Sequence, residues 1–136
     1  DEKTLCTAFA GWLHDPRALV QEVAASHIGD RCPRYHPELL AEVRAGLARG
    51  GLEDDLLLPV SYLAENCVEV GSETCEEAAA LLESIALAPI ARPDAREFAL
   101  YAVGRYDRQT GRALAERLRR DTMPEVARAA EYLLSQ

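Results

Sequence analysis

The sequence has no long apolar segment and few aromatic residues. No hydrophobic run approaches the ~20 residues that a membrane-spanning helix requires. The charged start, Asp1 to Lys3, does not resemble a signal peptide, and the missing initiator methionine leads us to expect a trimmed or processed chain. The 136 residues include one Trp, two Phe and five Tyr, whereas 49% are hydrophobic. Because Ala and Leu dominate this content, we expect an all-α fold rather than a sheet core.

Motifs of the common catalytic sites are also missing. The sequence has no glycine-rich phosphate loop, no His-Glu-x-x-His and no nucleophile elbow. His27, with Glu22 or Asp30 nearby, is the one candidate general base, although a partly exposed helical histidine is usually an ordinary surface residue. We therefore expect a protein that is not an enzyme, with no catalytic residues and no cofactor.

Acidic residues outnumber basic ones, with 23 Asp and Glu against 15 Lys and Arg, for a formal net charge of −8. Such a surface repels phosphate backbones and anionic membranes and favours a basic partner. The most basic segment is interleaved with acids, so we interpret it as a solvated helix face and expect no nucleic-acid binding. Its residues are Arg112, Glu116, Arg117, Arg119, Arg120 and Asp121.

The hydrophobic periodicity predicts eight helices and no strand. Leu5, Phe9 and Trp12 form an apolar stripe on the first helix, and Leu19 and Val23 belong to the apolar pattern of the second. We expect one domain of four helical hairpins, the whole spanning residues 1–136. The hairpins cover approximately residues 3–29, 37–68, 72–105 and 109–135.

Prolines, glycines and capping residues set the predicted boundaries. Gly29-Asp30 is the expected stop of the second helix, and residues 31–36 form a linker before a third helix that starts at Pro37. Ser72 is the expected cap of the fifth helix, and Thr122 is a candidate cap of the last.

A near-repeat occupies the C-terminal third. Residues Pro93–Val103 align with Pro124–Leu134 at a constant offset of 31, which places Tyr101 opposite Tyr132. A fixed period of roughly 20 to 50 residues is typical of solenoids, whose units bury their apolar faces against their neighbours.

The segments Pro93–Gly104 and Asp121–Ala130 resemble the second helix of HEAT repeats, with an acid-proline start, an Arg and paired small residues. Arg112–Asp121 resembles the preceding first helix, and Leu5–Gly29 is similar at lower fidelity, whereas residues 31–70 depart from the pattern. The resemblance implies a short, right-handed α-solenoid (HEAT-like) whose second helices line a concave side.

A solenoid of this kind predicts a binding scaffold, with Tyr and Arg as the usual interface anchors. Two acidic clusters, Glu53-Asp54-Asp55 and Glu73-Glu76-Glu77, lie at or near predicted helix starts, where the macrodipole favours them. The alternative is that they form an acidic rim that captures a basic partner. The candidate partner-binding residues are Arg17, Gln21, Glu53, Asp54, Asp55, Tyr62, Arg96, Tyr101, Arg128 and Tyr132.

We expect a non-catalytic protein–protein interaction module, monomeric apart from its partner complex. Within this class we favour a bacterial inhibitor, such as an immunity protein that neutralises a toxin. The alternatives are a HEAT-type enzyme, resembling DNA glycosylases or phycobilin lyases, and a fragment of a longer scaffold array. A glycosylase would need a basic, aromatic-lined face, which an acidic chain with one Trp does not favour.

The four cysteines predict two disulfides at hairpin mouths, Cys6–Cys32 and Cys67–Cys75. Disulfides would place the protein in an oxidising compartment, such as a bacterial periplasm. The alternative is four buried thiols in a reduced protein.

A third possibility is that some of these cysteines bind a metal ion. Cys32 and His36 have a Cys-x3-His spacing, and Cys6 with His14 would have to supply the remaining ligands. Because Cys6 and His14 are eight residues apart, they are over 10 Å apart along a straight helix at about 1.5 Å per residue. We therefore expect no metal.

Overall fold

The computed structural model describes residues 1–48 and 72–136, and within these ranges the protein is all-helical with no strand. A short 3₁₀ helix, Pro33–Tyr35, joins the second and third α-helices. None of the helices described is both long and apolar enough to span a bilayer. The α-helices are α1 (Glu2–Trp12), α2 (Ala18–Arg31), α3 (His36–Ala48), α4 (Ser72–Leu87), α5 (Pro93–Tyr106), α6 (Arg108–Leu118) and α7 (Pro124–Leu134).

The structure corrects the predicted end of the second helix. α2 continues through Gly29 and Asp30 to Arg31, and the Cys32 amide donates to the Ile28 carbonyl at 3.1 Å. A glycine inside a helix costs only about 1 kcal/mol, so it does not stop a helix whose neighbours are buried. Half of the predicted linker, Pro33–Tyr35, forms the 3₁₀ helix, and α3 begins at His36, one residue before the predicted start. The predicted helix at 54–68 lies outside the described residues.

Aspartate side chains cap two helix starts, those of α1 and α6. Asp1 accepts from the Thr4 amide at 2.8 Å, and Asp107 accepts from the amides of Gln109 and Thr110. The Thr110 hydroxyl also donates to Asp107 at 2.8 Å, and these bonds lower the pKa of Asp107. The prediction that Thr122 caps the last helix is wrong, because the N-cap residue of α7 is Met123 and this helix start has no side-chain cap. Asp121 accepts from the Met123 amide at 2.9 Å in the turn that precedes the helix.

Each described helix packs mainly against the next described helix along the chain. α1 packs on α2, α2 on α3, α3 on α4, and the succession continues through α5 and α6 to α7. α5 also contacts α7 directly. The largest fully buried apolar side chains lie along this succession and are Ile28, Leu39, Leu40, Val43, Leu82, Ile85, Leu100 and Leu114.

The sequence echo corresponds to matched burial in α5 and α7. Ala99 and Ala130 are both fully buried, and Tyr101 and Tyr132 form an edge-to-face pair with ring centroids 6.1 Å apart. Small residues at the buried positions let these helices approach each other closely. The repeated pattern therefore records which faces of α5 and α7 are packed inside.

Candidate functional site

A disulfide between Cys6 and Cys32 joins α1 to the end of α2, as the sequence predicts for this pair. The two Cα atoms are 5.7 Å apart, and both cysteines are buried. Of the second predicted pair, Cys67–Cys75, Cys67 and the side chain of Cys75 lie outside the described residues.

Two further ligand-type side chains surround this disulfide. Glu2 lies one turn before Cys6 on α1, and its Oε1 is 3.8 Å from Cys6 Sγ and 3.8 Å from His27 Nε2. One donor atom from each of Glu2, Cys6, His27 and Cys32 lies within 4.8 Å of the other three. We call these four residues the Cys-His-Glu cluster.

His27 is held in place by an aromatic contact rather than by a hydrogen bond. Its ring stacks on Phe9 with centroids 4.2 Å apart and an interplanar angle of 27°. Its Nε2 atom is buried and has no hydrogen-bond partner among the residues described, since 3.8 Å to Glu2 is too long. A buried polar atom without a partner is uncommon and calls for an explanation.

The histidines considered from sequence as ligands have other partners. His14 contacts Glu38 at 3.3 Å and Glu42 at 3.1 Å, which ties the end of α1 to α3. His36 is buried, and its Nε2 donates to the Ile28 carbonyl at 3.0 Å. Burial lowers the pKa of His36, partly opposed by this hydrogen bond.

A surface groove on the same hairpin is lined by exposed apolar side chains. Its volume is about 370 Å³. Trp12 is 45% exposed, Leu19 71% and Val23 52%, although the sequence pattern included all three among the apolar positions of their helices. Phe9 lies at its base and packs edge-to-face on Trp12 at 5.0 Å. We call this surface the N-terminal apolar groove; its lining residues are Phe9, Trp12, Arg17, Leu19, Val20 and Val23.

Two predicted partner-binding residues, Arg17 and Gln21, lie at or beside this groove. Arg17 Nε donates to Asp15 Oδ1 at 2.9 Å and Nη2 donates to Oδ2 at 3.0 Å. These bonds lower the pKa of Asp15 to about 2 and raise that of Arg17. Gln21 donates to the Asp15 carbonyl at 2.6 Å, so all three residues shape the turn between α1 and α2.

The interpretation of Arg96 as a partner-binding residue is wrong. Arg96 is 2% exposed, donates to the Ala86 carbonyl at 2.9 Å and forms an ion pair with Asp121 at 2.6 Å. These bonds satisfy a guanidinium inside the core and lower the pKa of Asp121. The residue therefore joins α4, α5 and the α6–α7 turn, and it cannot reach a partner.

The remaining described candidates lie at the C-terminal end. Arg128 and Tyr132 are exposed, and Tyr101 is half-buried, which raises its pKa. A second surface groove, of about 450 Å³, is lined by Tyr101 together with residues of α5, α6 and the C-terminal end of the chain. The candidates Glu53, Asp54, Asp55 and Tyr62 lie outside the described residues.

Two features of the sequence indicate the Cys-His-Glu cluster and the N-terminal apolar groove, neither of which was predicted. Glu2 and Cys6 have the i, i+4 spacing that places two side chains on one helix face. On α2, Ala24, Ala25 and Ile28 point inward while Leu19 and Val23 are exposed. α2 therefore has two apolar stripes. The first packs inside the protein, and the second, with Leu19 and Val23, remains available for contact with another molecule.

Comparison of the chain with family models, with curated proteins and with solved structures returned no match.

Proposed function

We propose that this protein is a non-catalytic interaction module that binds a helical segment of a protein partner in the N-terminal apolar groove. The observation that carries the proposal is the exposure of Trp12, Leu19 and Val23 around one groove. Fully burying a side chain of this size stabilises a complex by about 1.5–3 kcal/mol. Trp and Arg, both present here, are the residue types most enriched among energetic anchors.

The shape of the groove favours a helix as its occupant. Leu19 and Val23 are four residues apart and present adjacent apolar side chains along α2, while Trp12 faces them from α1. An amphipathic helix laid beside α2 would insert side chains at i, i+3 and i+4 spacing into the groove. We propose that its polar face is basic, because the net charge of the chain is −8 and Asp30 is exposed farther along α2.

Two finer proposals accompany this one. The first is that the hairpins stack as a short HEAT-like solenoid, which the packing of successive helices and the contact between α5 and α7 support. The second is that the protein acts as an inhibitor, as immunity proteins do for toxins, by covering a helix that the partner needs for its activity.

Trp12 supplies a direct test, because it is the one tryptophan in the chain. The probe is a synthetic amphipathic helix with Leu on one face and Lys on the other, titrated while Trp12 fluorescence is recorded. We expect the emission to shift to shorter wavelength as the indole is buried. A scrambled peptide of the same composition controls for non-specific attraction to an acidic protein.

Two charge-introducing variants locate the binding site. Leu19→Glu should weaken peptide binding at least about 10-fold, equivalent to 1.4 kcal/mol. Ile90→Glu is the matched control, because Ile90 is also exposed, at 60%, but lies between α4 and α5. Equal binding of the scrambled peptide, or an equal loss in both variants, would refute the proposed groove.

A further inference from the structure

We propose that the reduced form of this protein binds one zinc ion through the Cys-His-Glu cluster. The ligands are the thiolates of Cys6 and Cys32, Nε2 of His27 and the carboxylate of Glu2. The disulfide form and the zinc form are therefore alternative states of one site. This proposal does not rest on the proposed function, although Phe9, which stacks on His27, also lines the apolar groove.

The donor set and its dimensions match those of a zinc site. Zinc is bound tetrahedrally by Cys sulfur at about 2.3 Å and by His nitrogen or carboxylate oxygen at about 2.0–2.2 Å. In that geometry two thiolates on one ion are separated by about 3.8 Å. The four donor atoms already lie within 4.8 Å of one another. Reduction must first let the two sulfurs move apart. Only small movements of the four side chains are then needed to place their donor atoms around one zinc ion.

The unpartnered Nε2 of His27 is the independent observation that indicates a ligand. This atom is buried beside Glu2, and stacking on Phe9 fixes the ring that carries it. A neutral imidazole nitrogen without a hydrogen-bond partner is the form in which histidine binds a metal. Zinc would use this lone pair, whereas the disulfide leaves it unused.

Charge and access around the cluster are also compatible with zinc. Two thiolates, one carboxylate and one Zn²⁺ carry a net charge of −1. Basic residues border the cluster, and a groove of about 300 Å³ reaches both cysteines from solvent. Its lining residues are Glu2, Lys3, Cys6, Arg31, Cys32, Pro33, Arg34 and Tyr35.

Conversion of the disulfide form to the zinc form requires a two-electron reductant, for which a dithiol is one suitable class. The dithiol transfers two electrons and two protons to the Cys6–Cys32 disulfide, the sulfur–sulfur bond breaks, and the dithiol leaves as its own disulfide. Zinc binding then releases the two thiol protons to solvent, and each sulfur becomes a thiolate ligand. Oxidation of the thiolates by a disulfide oxidant reverses the process and releases the ion.

The experiment uses the full chain carrying Cys67→Ser and Cys75→Ser, so that Cys6 and Cys32 are the only thiols. The protein is reduced without oxygen by a phosphine and titrated with Co²⁺ and then with Zn²⁺. We expect one Co²⁺ per chain, with the visible spectrum of a tetrahedral site and a thiolate-to-cobalt charge-transfer band, and displacement by Zn²⁺. The oxidised protein should bind neither ion.

Ligand variants and a matched histidine control identify the site. His27→Gln should lower zinc affinity at least about 10-fold and change the cobalt spectrum, and Glu2→Gln should also weaken binding. His14→Gln is the control, because His14 contacts Glu38 and Glu42 rather than the cluster. If the reduced chain loses helicity, zinc should restore it in the parent and not in His27→Gln. Absence of cobalt binding, equal binding by the oxidised chain, or no effect of His27→Gln would overturn the proposal.

Discussion

The N-terminal hairpin α1–α2 and the C-terminal helices α5–α7 are stabilised by different means. The hairpin is closed by the Cys6–Cys32 disulfide, and it leaves Trp12, Leu19 and Val23 exposed. The C-terminal helices bury small residues against each other and enclose the Arg96–Asp121 ion pair.

We infer that this contrast separates a packed scaffold, α5–α7, from the proposed binding surface on α1–α2. Where packing is dense, as in α5–α7, the surface offers few apolar side chains to a partner. Where a covalent link adds to the buried core, as in α1–α2, the outer face carries apolar side chains that do not stabilise the isolated protein. We therefore expect substitutions at the C-terminal end to change stability and those in the groove to change binding.

The largest effect on stability should come from breaking the buried ion pair. Asp121→Ala leaves the guanidinium of Arg96 buried without its carboxylate, and we expect a loss of about 3–5 kcal/mol in the free energy of unfolding. Urea unfolding measures it. Arg96→Met combined with Asp121→Ala should be more stable than Asp121→Ala alone. Arg119→Ala, in the exposed pair with Glu116, should cost less than about 1 kcal/mol. A similarly small loss for Asp121→Ala would contradict this prediction.

Removing the disulfide should affect the other region. With a sequence separation of 26 between Cys6 and Cys32, Cys6→Ala with Cys32→Ala should cost about 3 kcal/mol in metal-free buffer, because the unfolded chain regains the freedom of the loop. Hydrogen exchange should accelerate in α1 and α2 while amides of α5–α7 are unaffected below the temperature of global unfolding. Uniform acceleration along the chain would show that the two regions are not stabilised separately.

Two glycine substitutions compare the packing of the regions directly. A Cβ at Gly111 would lie 2.5 Å from the Gly104 Cα, so Gly111→Ala should push α6 from α5 and destabilise by about 1–3 kcal/mol. A Cβ at Gly11 would meet nothing within 4 Å, so Gly11→Ala should stabilise by about 0.5 kcal/mol. The midpoint of thermal unfolding, measured for the two variants and the parent, should fall for Gly111→Ala and rise for Gly11→Ala. Shifts of both midpoints in the same direction would contradict this prediction.

The smallest effect concerns the pH dependence at His36. Burial lowers its pKa below the ordinary value of 6.5, so the unfolded state takes up a proton before the folded state does. The neutral ring of His36 therefore makes its full contribution to the free energy of unfolding above pH 6.5. That contribution decreases as the pH falls from 6.5 through the pKa of His36 in the folded protein. Between pH 7 and 5 the parent should lose more stability than His36→Gln, measured by urea unfolding at each pH. Identical slopes would contradict this assignment.

The sequence predicted the positions of the helices better than it predicted which of their faces are buried and which are exposed. The prolines Pro93 and Pro124 located the starts of α5 and α7, and the echo marked their packed faces, because local propensity and burial coincide there. The interpretation of Arg96 failed because an arginine on an amphipathic helix gives no sign that Asp121, 25 residues later, will enclose it. Trp12, Leu19 and Val23 were placed in an apolar pattern, but periodicity alone does not say which stripe of a helix has a neighbour.

The Cys-His-Glu cluster shows the same limit. The sequence indicated that Cys6 and Cys32 would meet, since both lie at the mouth of one hairpin. The sequence did not indicate that His27 lies beside these cysteines. The rotation of α2 about its axis relative to α1 depends on packing contacts such as the stack of Phe9 on His27.

The most direct test of the functional contrast is photo-crosslinking from two positions in cells of the source organism. A photoreactive phenylalanine replaces Leu19 in one protein and Tyr132 in the other, which are 71% and 58% exposed. We predict a discrete crosslinked partner from position 19 that disappears when Val23→Glu is added, and none from position 132. A partner captured from position 132, or one captured from position 19 regardless of Val23→Glu, would contradict the account.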